Sequence, residues 1–324
     1  MIPPMTRFQW LALITVVATL ILIGIGAVVR TTGSGLGCPD WPLCYGQWHP
    51  PLERTAIIEY SHRTAASIVG ALVVATVAVT FMRYRRDRAL TWLALASLPL
   101  LGFQAWLGKV TVERELPPMI VLVHLATALI LLAVLAWLAA LAFAGVDREP
   151  IRTRERTSML RVLWIGVLVT YLVLLSGAYV VGGNATAACL TWPGCAQAPI
   201  PFIDGGAGQH IHWLHRFVVL GGAAAVGTAA LAVLWSRDAG PRLQRAAQAL
   251  LVLYGVQVVV GALNIWTTFS AVALVLHLLV GATIWALLIV MLAAARYRGG
   301  VEVELRAVGA TGVGSAAGRE RARG

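Results

Sequence analysis

Charge is scarce in this sequence: Asp, Glu, Lys and Arg make up only 12% of its 324 residues, about half the share found in an ordinary soluble domain. Such a chain cannot clothe a globular surface in solvated groups, which excludes a water-soluble fold. Acidic residues are the rarer sign, 14 against 25 basic ones. Cysteine is limited to four residues and histidine to seven, so any site built on them uses few side chains. What fills the chain is hydrophobic, 59% of residues with a mean hydropathy of +0.80. Apolar runs, each sufficient for about 20 residues of helix, fall near 9–29, 57–82, 90–110, 119–143, 160–181, 211–235, 246–266 and 271–295. The expected fold is all-α and integral to a membrane, with eight transmembrane helices. The first run lacks a small-residue cleavage site and is followed by similar runs, so it reads as a retained helix and not a removed leader.

The net charge of +11 invites a nucleic-acid reading, which the placement of the arginines removes. Arg7, the group Arg83, Arg85, Arg86 and Arg88, the group from Arg148 to Arg161, the group Arg237, Arg242 and Arg245, and those from Arg296 onward all fall in segments that share one side. Only Arg30, Arg54, Arg63, Lys109, Arg114 and Arg216 fall on or near the other side. That asymmetry follows the positive-inside rule. It predicts a multi-pass protein of the cell membrane, with both termini cytoplasmic and segments 30–56 and 182–210 facing outward. The stretch 299–324, rich in Gly, Ala and Arg, reads as a disordered cytoplasmic tail.

The chain is doubled. Cys38 and Cys44 return as Cys189 and Cys195 (189 − 38 and 195 − 44, both 151), with Trp41-Pro42 echoed by Trp192-Pro193. His62-Arg63 returns as His215-Arg216, His124 as His277, Gln104 as Gln257 and Gly108 as Gly261 (215 − 62, 277 − 124, 257 − 104 and 261 − 108, all 153). Four helices per copy give both copies the same orientation, a parallel repeat about an axis near the membrane normal. The expected organisation is an N-terminal four-helix half over 1–144, a cytoplasmic linker at 145–158, a C-terminal four-helix half over 159–298, and the tail.

A lone histidine in a membrane helix is explained as readily by a bond to a neighbouring helix as by function. Four in a duplicated pattern are another matter. His62 and His124 each follow the start of an inward-running apolar stretch by a few residues, and His215 and His277 repeat this. Paired imidazoles at one depth in a four-helix bundle suit axial ligation of a haem iron. A zinc or copper site would need further Cys, His or carboxylate ligands, and the helices supply few. Arg63 and Arg216, one residue on, suit a haem propionate, although snorkelling explains them equally. The copies differ one turn earlier, where Glu59 stands in the first half and His212 in the second. A carboxylate at the lip of a haem pocket can take a proton or position water; a solvated residue near a helix start is the plainer account. On the catalytic reading the first half is reactive, and the second carries a permanent haem linked to it by electron transfer.

All four cysteines lie in the outward segments, two per half with five residues between them. Oxidation is permitted there, and the pairings Cys38 with Cys44 and Cys189 with Cys195 are expected. A structural staple and a redox-active pair both remain open.

The run Gly35-Leu36-Gly37-Cys38-Pro39-Asp40-Trp41-Pro42-Leu43-Cys44, the run Glu59-Tyr60-Ser61-His62-Arg63 and the repeated histidines resemble the haem A synthase family of cytochrome oxidase assembly, over about residues 8–295. The resemblance implies an oxidoreductase that converts the C8 methyl group of haem O to the formyl group of haem A by successive hydroxylation. It further implies that His62 and His124 flank the substrate haem, that His215 and His277 ligate a haem b cofactor, and that Glu59 is the catalytic carboxylate. Cys38 and Cys44 match the family's redox-sensitive pair, and Cys189 and Cys195 a second pair found in some members. Expected partners are haem O, the haem O synthase, cytochrome oxidase assembly factors and a membrane electron donor such as a quinol. Nucleic acid is not expected, and a homo-oligomer is left open. Two rival readings remain, a di-haem b-type electron-transfer protein that oxidises quinol and a haem transporter or chaperone.

Overall fold

A computed structural model describes residues 4–145, 148–150 and 153–298, and the predicted tail at 299–324 lies outside the described residues. Eight helices carry the chain: α1 (Arg7–Thr31), α2 (Arg54–Tyr84), α3 (Arg88–Glu113), α4 (Pro118–Ala144), α5 (Arg154–Gly182), α6 (Ala207–Leu234), α7 (Pro241–Trp266) and α8 (Ala271–Arg296). All eight are long and apolar enough to cross a membrane, and the protein is a multi-pass membrane protein. In hydrocarbon each backbone amide must be satisfied within its own segment, which is why these runs are helices.

Most helices begin earlier than their apolar runs, because capping and first-turn residues are polar. Thr6 caps α1 in a reciprocal box with Gln9, Asp87 caps α3, Thr153 caps α5 and Ser270 caps α8. Pro118 and Pro241 open α4 and α7, at the position where a missing N–H costs nothing. Helix α5 therefore starts inside the stretch read as linker. The remainder of that stretch contributes β1 (Glu149–Pro150), which pairs antiparallel with β2 (Tyr297–Arg298) just past α8. This two-residue ladder is an addition to the all-α expectation.

Within the first half α1 packs on α2 and α4, and α3 packs on α2 and α4; in the second, α5 packs on α6 and α8, and α7 packs on α6 and α8. The halves meet along α4 and α8, with α1 against α8 and α4 against α5. This arrangement is consistent with the doubled sequence. Helix α8 is the most enclosed, with 61% of its apolar window buried. Its Leu288, Met291 and Leu292 share one core with Leu129, Leu132 and Leu135 of α4. Polar groups fasten that seam: Trp285 Nε1 donates to the Leu129 carbonyl at 2.9 Å and the Tyr171 hydroxyl to the Ala126 carbonyl at 3.0 Å. Lipid offers no hydrophobic drive for helix association, so packing and such bonds must hold the halves together.

Candidate functional site

Helices α2 and α6 place their histidines eight residues from their starts (62 − 54 and 215 − 207), and α4 and α8 place theirs six residues in (124 − 118 and 277 − 271). At the helical rise these are about 12 Å and 9 Å from the same end of each bundle. His62 and His124 lie within electrostatic reach of each other, as do His215 and His277. Each half thus has one such pair toward the same end of its bundle.

Each ring is backed by a glycine on an adjacent helix. A Cβ on Gly26 of α1 would lie 3.3 Å from His62 Cε1, on Gly177 of α5 3.2 Å from His215 Cε1, on Gly261 of α7 3.2 Å from His277 Cε1, and on Gly108 of α3 3.8 Å from His124 Cε1. A larger residue at the first three positions would push the ring from its place. The carbonyls of His124 and His277 accept from Gln104 Nε2 at 3.1 Å and Gln257 Nε2 at 3.0 Å. These bonds pin α4 to α3 and α8 to α7 at the level of the histidines.

The ring nitrogens distinguish the four sites. Nδ1 of His62, His124 and His277 is buried without a hydrogen-bond partner. Nδ1 of His215 faces Ser176 Oγ at 2.8 Å, and that hydroxyl also lies 2.8 Å from the Val173 carbonyl. If the serine proton is donated to the carbonyl, its oxygen accepts from Nδ1–H, which leaves the Nε2 lone pair of His215 free. No Nε2 of the four has a hydrogen-bond partner among the described residues. Paired rings, cleared of side chains on one flank and with an unengaged nitrogen, fit axial ligands of a flat macrocycle. Among the described residues no three His, Cys, Asp or Glu side chains converge as a metal-ion site would require.

Glu59 is 4% exposed, and its Oε1 accepts from Arg63 Nε at 3.2 Å. The rest of that guanidinium holds the loop before α2: Nη1 donates to the Asp40 and Leu43 carbonyls, both at 2.6 Å, and Nη2 to the Cys38 carbonyl at 2.9 Å. Arg216 repeats the clamp on the carbonyls of Thr191, Pro193 and Gly194. At the place of Glu59 the second half has His212, whose Nε2 lies 3.1 Å from the Thr186 carbonyl. The clamp is thus common to both halves, and the carboxylate belongs to the first alone.

The clamped loops contain the cysteines, joined as Cys38–Cys44 and Cys189–Cys195. All four are at most 2% exposed. In the first loop Asp40 accepts from Gly46 N at 2.8 Å and Tyr45 N at 2.6 Å. The Gly46 and Tyr45 amides hold its carboxyl below the ordinary value. A depressed native pKa stabilises the loop above the unfolded pKa, and the contribution fades as pH falls through the lower native one. Arg63→Ala removes three charge-assisted bonds to this loop, each worth about 1.5–3 kcal/mol. We expect amide exchange at Tyr45 and Gly46 to accelerate at least about tenfold in that variant; unchanged exchange would show that the clamp does not order the loop.

Sequence reasoning did not find Gly26, Gly177, Ser176 or the loop-holding role of the arginines. Gly26 and Gly177 stand in repeat register (177 − 26 is 151), a signal available in the sequence. Ser176 corresponds at that offset to Ile25, so only its departure from the repeat marks it.

A family model described as cytochrome oxidase assembly protein matches residues 9–57 and 52–289. A curated heme A synthase of Bacillus licheniformis is 34% identical over 188 residues, covering 57% of this chain and 62% of that one. The heme A synthase of Alkalihalophilus pseudofirmus is 32% identical over 215 residues, 65% and 71% of the two chains. That of Bacillus cereus is 30% identical over 296 residues, 88% and 92%.

Proposed function

We propose a function from one premise: the chain belongs to the cytochrome oxidase assembly protein family. It is a haem A synthase, an oxidoreductase that takes haem O to haem A for cytochrome oxidase. The observation that carries this reading is the asymmetry of two otherwise matching histidine pairs, of which only the first has a buried carboxylate one turn away.

In this reading His62 and His124 flank haem O as substrate, and His215 and His277 hold a haem b cofactor. A bound haem b supplies one-electron redox chemistry that no side chain performs. The methyl group must lose protons and electrons and gain oxygen. Glu59 Oε1 is engaged by Arg63, and its other oxygen has no hydrogen-bond partner among the described residues. That oxygen accepts a released proton or orients water. Arg63 keeps the carboxylate at one rotamer while anchoring the loop above it; with four of its five N–H donors so engaged it has one left for a propionate, and Arg216, with three engaged, has two. The long tail of haem O enters from lipid between helices, as expected of a substrate met inside a bilayer. The protein sits in the cell membrane with both termini cytoplasmic and the cysteine loops outward. Haem O synthase, assembly factors and a quinol-type donor are its partners.

The test is production of haem A. A host that makes haem O but lacks its own synthase should gain haem A when this chain is expressed, read by chromatography of extracted haems. Continued haem O alone would overturn the assignment and leave the di-haem electron carrier as the better reading.

Ser176 offers a finer check on the second half. Replacing it with alanine removes the acceptor that orients the His215 ring, and such outer partners are worth about 10–100-fold in metal affinity. Ser176→Ala should bind haem b less tightly and raise its midpoint potential, since a less electron-rich imidazole favours ferrous iron. An unaltered potential and affinity would reduce Ser176 to a packing residue.

A further inference from the structure

We propose that the turn between α2 and α3 binds the phosphate of an anionic phospholipid. A cavity of about 580 Å³ opens there, at the end of the bundle opposite the disulfide loops, lined by Arg83, Arg86, Asp87, Arg88, Arg148 and Tyr297 among others. Asp87 is the lone acid among these residues, and its Oδ1 is taken by Arg148 Nη2 at 2.6 Å. Arg148 is held further by the Gly145 carbonyl at 2.7 Å and lies over the Tyr297 ring at 5.5 Å. Arg83, Arg86 and Arg88 have no hydrogen-bond or ion-pair partner among the described residues. Among the described residues, three guanidinium groups thus line a concave space whose one carboxylate is paired with Arg148.

The doubled chain provides an internal control. At the equivalent turn between α6 and α7, Glu155 at the start of α5 accepts from Ser236 Oγ at 2.7 Å and from Arg237 N at 3.0 Å. Thr153 and Arg156 bind Asp238 of the same turn. In repeat register Arg83 replaces Ser236, and Pro4 replaces Glu155 (236 − 83 is 153; 155 − 4 is 151). The second half fills its turn with an acid of its own chain. Among the described residues the first half has an arginine at this turn and no such acid, which leaves its guanidinium groups open to an anion from outside. Retention of arginines on one membrane face by topology alone explains neither the cavity nor the buried Arg148. Phosphate suits the site, since a guanidinium fork bonds two of its oxygens at once. The phosphate comes with acyl chains: Met82 and Trp92, on the helices either side, are 72% and 66% exposed at this membrane boundary.

The test uses full-length protein, stripped of lipid in an uncharged detergent. Phosphatidylglycerol, phosphatidylcholine and inorganic phosphate are added separately, with bound lipid counted by native mass spectrometry and unfolding followed by heating. We expect at least a tenfold preference for phosphatidylglycerol over phosphatidylcholine, and a higher unfolding temperature with the former only. The exposed pair Arg86→Gln/Arg88→Gln should lose both effects, whereas Arg237→Gln/Arg242→Gln should keep them. Equal retention of the two lipids, or a preference that survives in Arg86→Gln/Arg88→Gln, overturns the proposal. Inorganic phosphate that stabilises as well as phosphatidylglycerol overturns the lipid assignment and makes a soluble anion the occupant.

Discussion

Alanine at His215 should leave the purified protein with less than about a tenth of the haem b of the wild type, because one of the two imidazoles that would hold the cofactor is gone and outer partners alone are worth about 10–100-fold in metal affinity. The fold should survive it. His215 packs on Gly177 and bonds Ser176, whereas the seam between the halves is made by α4 and α8. Far-ultraviolet circular dichroism and monodispersity in detergent should therefore match the wild type while the Soret absorbance falls. His277→Ala should behave alike. Haem b content that persists in His215→Ala/His277→Ala would place the cofactor elsewhere.

Glu59→Ala is expected to do the reverse: haem b stays and haem A formation in cells falls by about 10²–10⁴-fold, the usual worth of a positioned acid or base. Haem O should accumulate on the protein, since His62 and His124 are intact. Structural collapse is not expected. Arg63 loses only its Nε partner and retains three bonds to the loop carbonyls. Glu59→Gln keeps the size and the Arg63 contact but cannot take up a proton at neutral pH. Were Glu59→Gln as active as wild type, the carboxylate would be a spacer for Arg63. Reciprocal loss in the two variants, haem b in one and haem A in the other, is what an enzyme with separate cofactor and substrate halves requires. A haem carrier gives Glu59 no such task.

The eight spans were legible because a bilayer crossing demands about 20 apolar residues, a signal too long to arise by accident. The doubling was legible because His62-Arg63 and Cys38 belong to rare residue types in this chain, so their return at His215-Arg216 and Cys189 stood out. Rotation of each helix about its axis was not legible. A span that is apolar all round has no polar face to fix which side meets which neighbour, and for that reason Gly26 against His62 and Gly177 against His215 appear only in three dimensions. Arg63 shows a second limit. Its charge and rim position pointed outward to a ligand, while its bonds reach Cys38, Asp40 and Leu43, twenty or more residues earlier in the chain. The cavity at Arg83, Arg86 and Arg88 was hidden for the same reason, being closed by Arg148 of the linker and by Tyr297 beyond α8.

Extraction and chromatography of the haems from purified wild-type protein, made with ample haem O supply, addresses the central claim directly. Two pairs of imidazoles with unequal tasks predict close to one haem b per chain together with a smaller, variable amount of haem O or haem A. Haem b at two per chain with no trace of haem O or haem A, or a colourless protein, would contradict it.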